Sequence, residues 1–222
     1  MISSNWDEAS REQLKEDLEF AVRGELRFAR FDSAGILEHC RDLYLEDVCP
    51  TGEWDAMLAF AKQQIDRNAE LLRAEMADWP EVTDCDRLDQ VEAELRDAGI
   101  LFWQASPCCD NCTVAELSWR VDQISEQFPG LRQNLRGFAF FIDQNLPESL
   151  AESPDIDVCL GYGWLSAQAE DIDPAVYESN ALAIAHEVDD CLKRFGFESG
   201  WDGDFARKIC FSLCWQRRNL LT

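Results

Sequence analysis

The chain has 222 residues, 46% apolar and 11% aromatic, with eight Trp and thirteen Phe; this supplies a packed core and excludes a wholly disordered chain. Forty-four acids against twenty bases give a formal charge of −24, which repels phosphate, argues against nucleic acid and anionic membrane, and favours a basic or polar protein partner. Met1 to Glu8 lack the basic and apolar runs of a signal peptide and no window approaches a membrane span, so the expectation is a cytoplasmic protein whose ten cysteines are mostly thiols or metal ligands.

Residues 1–80 read as a helical region. Leu14, Leu18, Ala21, Val22 and Leu26 recur at helical spacing, as do Ile36, Leu37, Cys40, Leu43 and Tyr44. Ser33 is the expected cap of the second helix. A third stripe runs from Trp54 through Met57, Leu58, Ala61, Ile65 and Leu72 to Met76. Trp79-Pro80 ends it, because the residue before proline avoids the α region.

Residues 81–222 read as an α+β domain. Thr83 and Asp86 have capping-box spacing, Leu88, Val91 and Leu95 follow, and Gly99 stops the helix before the apolar strand Ile100 to Gln104. Thr113 and Glu116 give a second capping box ahead of Leu117, Val121 and Ile124. Phe138 to Ile142 reads as a strand, and Ile156 to Trp164 as one with two unlike faces. Gly161 and Gly163 within it mark a bulge or close packing. Asp173-Pro174 opens a long helix that ends at Gly196. Phe197–Gly200 and Lys208–Trp215 read as closing strands around Trp201-Asp202-Gly203-Asp204. Two consecutive strands between helices predict a mainly antiparallel sheet with helices on one face, in the ferredoxin-like neighbourhood.

Cys108, Cys109 and Cys112 form the one local constellation with chemical potential. Three readings compete. The thiols can be packing groups at a helix start. They can be metal ligands, since Cys109-x-x-Cys112 has zinc half-site spacing with Cys108 as a third donor; zinc is then the cofactor, with Cys85, Cys159, Cys191, Cys210 or His186 as fourth ligand. They can be redox groups, because a Cys-x-x-Cys ahead of a helix is set up to form a thiolate, although the order of elements departs from thioredoxin-like proteins. With Thr113 as cap, Cys112 directly precedes the helix and is the thiol placed to benefit from its dipole.

A second set of candidates is polar. From Gly137 to Leu192 there is no Lys or Arg but there are twelve acids, Glu170 and Asp171 among them, a pattern that can make an acidic binding face. Asp143, Asp155 and Asp157 are its candidate contact residues. Trp201, Asp202, Asp204 and Arg207 can form a polar loop site, or simply a tight turn that anchors Trp201 on the sheet. No phosphate-binding glycine loop and no nucleophile motif with His39 or His186 is present. The leading expectation is therefore a non-enzymatic binding protein with an acidic face, and the alternative is a thiol-centred zinc or redox protein.

An ordered set of motifs extends the cysteine cluster on both sides. Trp79-Pro80-x-x-Thr83-Asp84-x-Asp86-Arg87-Leu88 precedes it. Gly137-Phe138-x-Phe140-Phe141-x-x-Gln144, Leu160-x-Tyr162-Gly163, Trp201-Asp202-Gly203 and Trp215-x-x-Arg218 follow. Over roughly residues 79–218 this set resembles a bacterial family known only as a domain of unknown function. The resemblance implies a family without a mechanism. It also implies Gly where this chain has Thr113, and His where it has Ile142, so a ligand or base role for that His does not carry over.

Overall fold

The computed structural model describes residues 6–166 and 172–218; Glu170 and Asp171 lie outside them. In chain order the elements are α1 (Glu8–Phe28), α2 (Ser33–Cys40), a π-helical turn (Arg41–Leu45), a 3-10 turn (Thr51–Glu53), α3 (Trp54–Met76), α4 (Asp84–Asp97), β1 (Ile100–Ser106), α5 (Asp110–Gln127), α6 (Leu131–Asn134), β2 (Gly137–Ile142), α7 (Leu146–Glu152), β3 (Asp155–Trp164), α8 (Pro174–Arg194) and β4 (Ile209–Cys214). The chain is α+β. It divides into two compact units, one of residues 6–83, 145–155 and 214–218, the other of 84–144 and 156–213. Residues 145–155 and 214–218 then rejoin the first unit, which no linear division expresses.

The first unit is helical. Asp7 opens α1 by accepting the Ser10 backbone N–H at 2.9 Å, and Asp32 opens α2 by accepting that of Gly35 at 2.8 Å. Asp32, not Ser33, is therefore the cap: a carboxylate one residue earlier already satisfies the orphan donor. The expected stripes meet in one core, with Leu14, Leu18, Val22 and Leu26 against Ile36, Cys40, Met57, Ala61, Ile65 and Leu72. α7 packs on α1 at Gly24, where an added Cβ would stand 2.1 Å from the Pro147 carbonyl oxygen. Trp215 closes this unit, its indole N–H donating to the Arg27 carbonyl at 3.1 Å and its ring 5.8 Å from that of Phe28.

The second unit holds one sheet of strand order β1-β2-β3-β4. β1 pairs β2 in parallel and β2 pairs β3 antiparallel. Between β3 and β4, the Cys159–Cys210 disulfide and a Ser212–Asp157 hydrogen bond connect residues running in opposite directions, the sign of an antiparallel pair. The sheet is thus mixed and mainly antiparallel. The element order β-α-β-β-α-β is kept, with α7 interposed, but β1 and β2 are direct neighbours, so this βαβ unit is not split by an intervening strand. Helices cover both faces of β1 and β2, a correction to the single covered face expected. Leu117, Val121 and Ile124 of α5 lie on Leu101, Trp103, Phe138 and Phe140. On the other face, Ile184 of α8 fills the space where Gly137 would carry a Cβ. Near-continuous burial of β1 and β2 follows from this two-sided cover.

The glycines of β3 mark close packing. The Phe140 ring occupies the Cβ position of its partner Gly161, and the Phe138 ring that of Gly163. Asp173 caps α8 by accepting the Ala175 N–H at 2.8 Å, with Pro174 first in the helix. The expected strand 197–200 reduces to a single antiparallel bridge between Ser199 and Phe211. Its backbone and side chains are engaged by α8 instead: Phe197 N–H donates to the Leu192 carbonyl at 3.0 Å and the Ser199 hydroxyl to Asp189.

Candidate functional site

The cysteine cluster is built at the C-terminal end of β1. The register of β1 on β2 shifts between Trp103 and Ser106, and the chain then passes through Ala105 and Cys108 at φ of 49° and 71°, conformations costly for residues with a Cβ. Buried polar groups hold this turn. The Ser106 hydroxyl lies 2.8 Å from that of Thr113 and 3.2 Å from the Phe141 carbonyl, which accepts from it. The Ser106 carbonyl accepts the Asp143 N–H at 2.9 Å. Ser106 and Thr113 are fully buried, so each hydroxyl needs such a partner.

α5 starts earlier than the second capping box implied. Its cap is Cys109, whose carbonyl accepts the Thr113 N–H at 2.9 Å. Thr113 sits inside the first turn and turns inward to Ser106. A glycine at this position would leave the buried Ser106 hydroxyl without this contact. The shift changes which sulfur the helix favours: Cys109 stands at the helix mouth and Cys112 within the first turn.

Cys112 Sγ is 3.4 Å from Cys108 Sγ and 3.6 Å from Cys109 Sγ, and the three sulfurs lie within 4.8 Å of one another. All three residues reach solvent. The Cys109 thiol is lowered below its ordinary pKa, first by the Cys112 backbone N–H and then by the Cys112 thiol. That N–H lies in the first turn of α5, an end of the helix whose dipole also favours a thiolate. Cys112 is pushed up to about 11, first by its contact with Cys108 and then by that with Cys109. The cluster therefore contains one thiol disposed to ionise and one disposed to keep its proton.

Three convergent sulfurs can hold a soft metal ion. Tetrahedral zinc with sulfur at about 2.3 Å sets its sulfurs about 3.8 Å apart, close to the separations here. None of the fourth ligands suggested by sequence joins them: among the described residues the group consists of the three cysteines alone. Cys159 and Cys210 bond to each other, Cys85 and Cys191 are buried elsewhere, and His186 stacks on Trp201 with centroids 5.0 Å apart. Ile142 pairs with Ser106 and packs on the apolar cluster beneath α5.

Of the polar candidates, Trp201, Asp202, Asp204 and Arg207 lie together in one loop. Asp143 is buried after β2, Asp155 is exposed at the start of β3, and Asp157 accepts the Ser212 hydroxyl at 2.5 Å. Trp201 packs on Tyr162 at 5.8 Å, the opposite face of β3 from Asp157. The Trp201 loop satisfies itself. Asp202 accepts the Asp204 N–H at 3.2 Å, Asp204 accepts that of Ala206 at 2.9 Å, and Arg207 lies 3.1 Å from Asp202. Tyr162 donates its hydroxyl proton toward the Phe205 and Arg207 carbonyls, each at 3.3 Å. This is an anchored turn.

Sequence reasoning missed two features near the cluster. One is the Cys159–Cys210 disulfide, both of whose residues are exposed. The other is an ion pair of 2.6 Å between Lys208 and Asp110, the first residue of α5. Strand alternation puts Cys159 with Asp157 and Cys210 with Ser212 on outward positions, a usable signal, but pairing the two strands needs the fold.

An α+β chain with an exposed trithiol at a strand-to-helix junction is the class defined by this geometry. The chain belongs to the family described as a domain of unknown function, DUF6891, whose model matches residues 11–219. No curated protein and no solved structure matches it. No helix among the described residues is long and apolar enough to cross a membrane.

Proposed function

We propose that Cys109 and Cys112 form a dithiol that exchanges with disulfides, Cys109 attacking and Cys112 resolving. The observation that carries this is the placement of Cys109 Sγ at the mouth of α5, open to solvent and 3.6 Å from Cys112 Sγ. The Cys109 thiolate attacks a substrate disulfide, forms a mixed disulfide and expels one substrate thiolate, which takes up a proton. Cys112 gives up its proton, attacks the Cys109 sulfur and expels the second substrate thiolate. Two electrons leave the dithiol and a Cys109–Cys112 disulfide remains. The opposed pKa displacements support this division of labour. A charge of −24 favours a disulfide carried on a basic or polar protein. Eight cysteines outside disulfides support a reducing compartment such as the cytoplasm.

This reading displaces the acidic face from first place. Within the base-free stretch Asp157 bonds Ser212, Asp173 caps α8, Glu187 pairs with Arg136, and the buried Asp189 meets Lys193 at 2.6 Å. Bases from outside the stretch thus meet two of its acids in the fold, Glu187 and Asp189.

The test is alkylation of each cysteine as a function of pH, read by mass spectrometry. Cys109 is expected to react below the pH at which an ordinary thiol does, and oxidised glutathione to produce a Cys109–Cys112 disulfide. In Cys112→Ser the glutathione adduct should persist on Cys109. An ordinary pH profile together with no disulfide would overturn the proposal.

The mutual approach of all three sulfurs within 4.8 Å favours a second reading, zinc held by Cys108, Cys109 and Cys112 with an open fourth position. Its sign is about one zinc per chain after purification without chelator, with these thiols protected until the metal is removed.

A further inference from the structure

The second unit holds a disulfide on the same sheet face as the dithiol. The Phe140 ring, packed beneath α5, fills the Cβ position of Gly161, so Gly161 points to the α5 side. Cys159, two residues back along β3, points there too. β1 sets Ser106 opposite Ile142 and β2 sets Phe140 opposite Gly161; continuing that register by two residues sets Cys159 opposite Ile142. Ser106, Ile142, Cys159 and Cys210 thus form one row across the sheet. Two strand spacings, about 10 Å, separate Ser106 from Cys159.

α5 covers only the β1–β2 half of this face. On the open half Asp157, Cys159, Cys210 and Ser212 are exposed. Lys208, just before β4 and two residues before Cys210, reaches across to Asp110, the neighbour of Cys109, at 2.6 Å. That ion pair ties the edge of the disulfide-bearing strand to the first turn of the helix that carries the thiols. Exposed disulfides belong to the labile, regulatory or catalytic group.

We propose that the Cys159–Cys210 disulfide is the internal electron acceptor of the Cys109–Cys112 dithiol, so that the four cysteines form a two-electron relay on one face of the sheet. The proposal rests on the dithiol reading above and names one substrate of it. The Cys109 thiolate attacks Cys159 Sγ, forming a Cys109–Cys159 bond and expelling the Cys210 thiolate, which takes a proton from water. Cys112 releases its proton to water and attacks Cys109 Sγ, expelling the Cys159 thiolate, which is protonated in turn. One disulfide is lost and one formed, and no outside oxidant or reductant enters. The turn from Ala105 to Cys108, with both residues at positive φ, is the segment that would have to move for Cys109 to reach Cys159.

The experiment uses full-length Cys112→Ser, prepared with Cys159–Cys210 closed, held at mildly alkaline pH, quenched in acid and mapped without reduction. The expected result is loss of the Cys159–Cys210 peptide pair, a new Cys109–Cys159 pair, and Cys210 recovered as a thiol. In a mixture of isotopically heavy and light chains the linked peptides should be wholly heavy or wholly light; a heavy–light hybrid overturns a relay within one chain. If Cys159–Cys210 stays closed while Cys109 still accepts glutathione, the relay is overturned and the dithiol reading stands. If Cys109 accepts neither, both fall. Should Cys112→Ser not fold, wild type prepared with Cys159–Cys210 closed and taken through the same incubation decides: Cys109–Cys112 bonded with Cys159 and Cys210 as thiols supports the relay, and Cys159–Cys210 still closed at the end sinks it.

Discussion

Cys40 shows what a buried thiol does in this chain, by contrast with Cys109. Burial, and secondarily the Glu25 carboxylate, push Cys40 up to about 12 from an ordinary 9.0. Glu25 is itself buried, with His39 Nε2 3.2 Å away. The folded form holds the Cys40 proton where the unfolded chain has lost it. The stability this gives is complete below about pH 9 and is lost as the pH rises toward about 12. The slope is at most about 1.4 kcal/mol per pH unit for one group. Cys40→Ala should flatten that alkaline loss, measured as urea midpoints across the range, at a neutral-pH cost of about 1 kcal/mol for the lost sulfur contacts. An unchanged alkaline slope would show that another group governs it. Cys109 is governed by the Cys112 backbone N–H at the helix start and by the Cys112 thiol instead of by burial, which is why it moves the other way. Sequence spacing identified the three cysteines; it assigned the favoured thiolate to Cys112 because Thr113 looked like the cap. That residue's hydroxyl was spent on Ser106, a partner seven positions away that no local rule names.

At the scale of elements, Gly24 measures how closely α1 and α7 are packed. Alanine there gains roughly 1 kcal/mol of helix propensity. Against this, its Cβ would stand 2.1 Å from the Pro147 carbonyl oxygen, and backbone cannot rotate away. The helices must part, and Leu146, Leu150 and Ala151 lose burial on α7. Overpacking of this kind costs about 1–3 kcal/mol, so the clash prevails. Gly24→Ala should lower stability by about 1–2 kcal/mol, read by chemical denaturation; a stabilised variant would contradict the packing. Periodicity revealed the helical stripes, the glycine stops and the strands β1 to β3, because those signals lie within one element. The cover of the sheet on both faces, the neighbouring parallel pair and the shrinkage of 197–200 to one bridge depend on contacts between distant segments. Gly161 and Gly163 announced close packing from sequence, and the rings that needed the space emerged only with the β2–β3 register.

For the whole molecule, the order in which the chain visits its two units is the feature with the widest reach. The chain leaves the first unit after residue 83, returns for residues 145–155, leaves again and returns at 214. Ending the chain after Leu213 removes Trp215, and with it the indole hydrogen bond to Arg27 and the ring contact with Phe28. Loss of a buried Trp costs about 3–5 kcal/mol. Such a truncation should open α1 to proteolysis or hydrogen exchange, while denaturant-resistant protection persists in β1 and β2; equal protection of α1 in both proteins would count against the arrangement. On the ribosome the same feature imposes a schedule. A nascent chain can build its first three helices early, but the segment that seats against Gly24 emerges some 120 residues behind that glycine, and the tryptophan that closes on Arg27 emerges later still. Until then the first helix has its stripe covered by the second and third helices, while its face at Gly24 waits open.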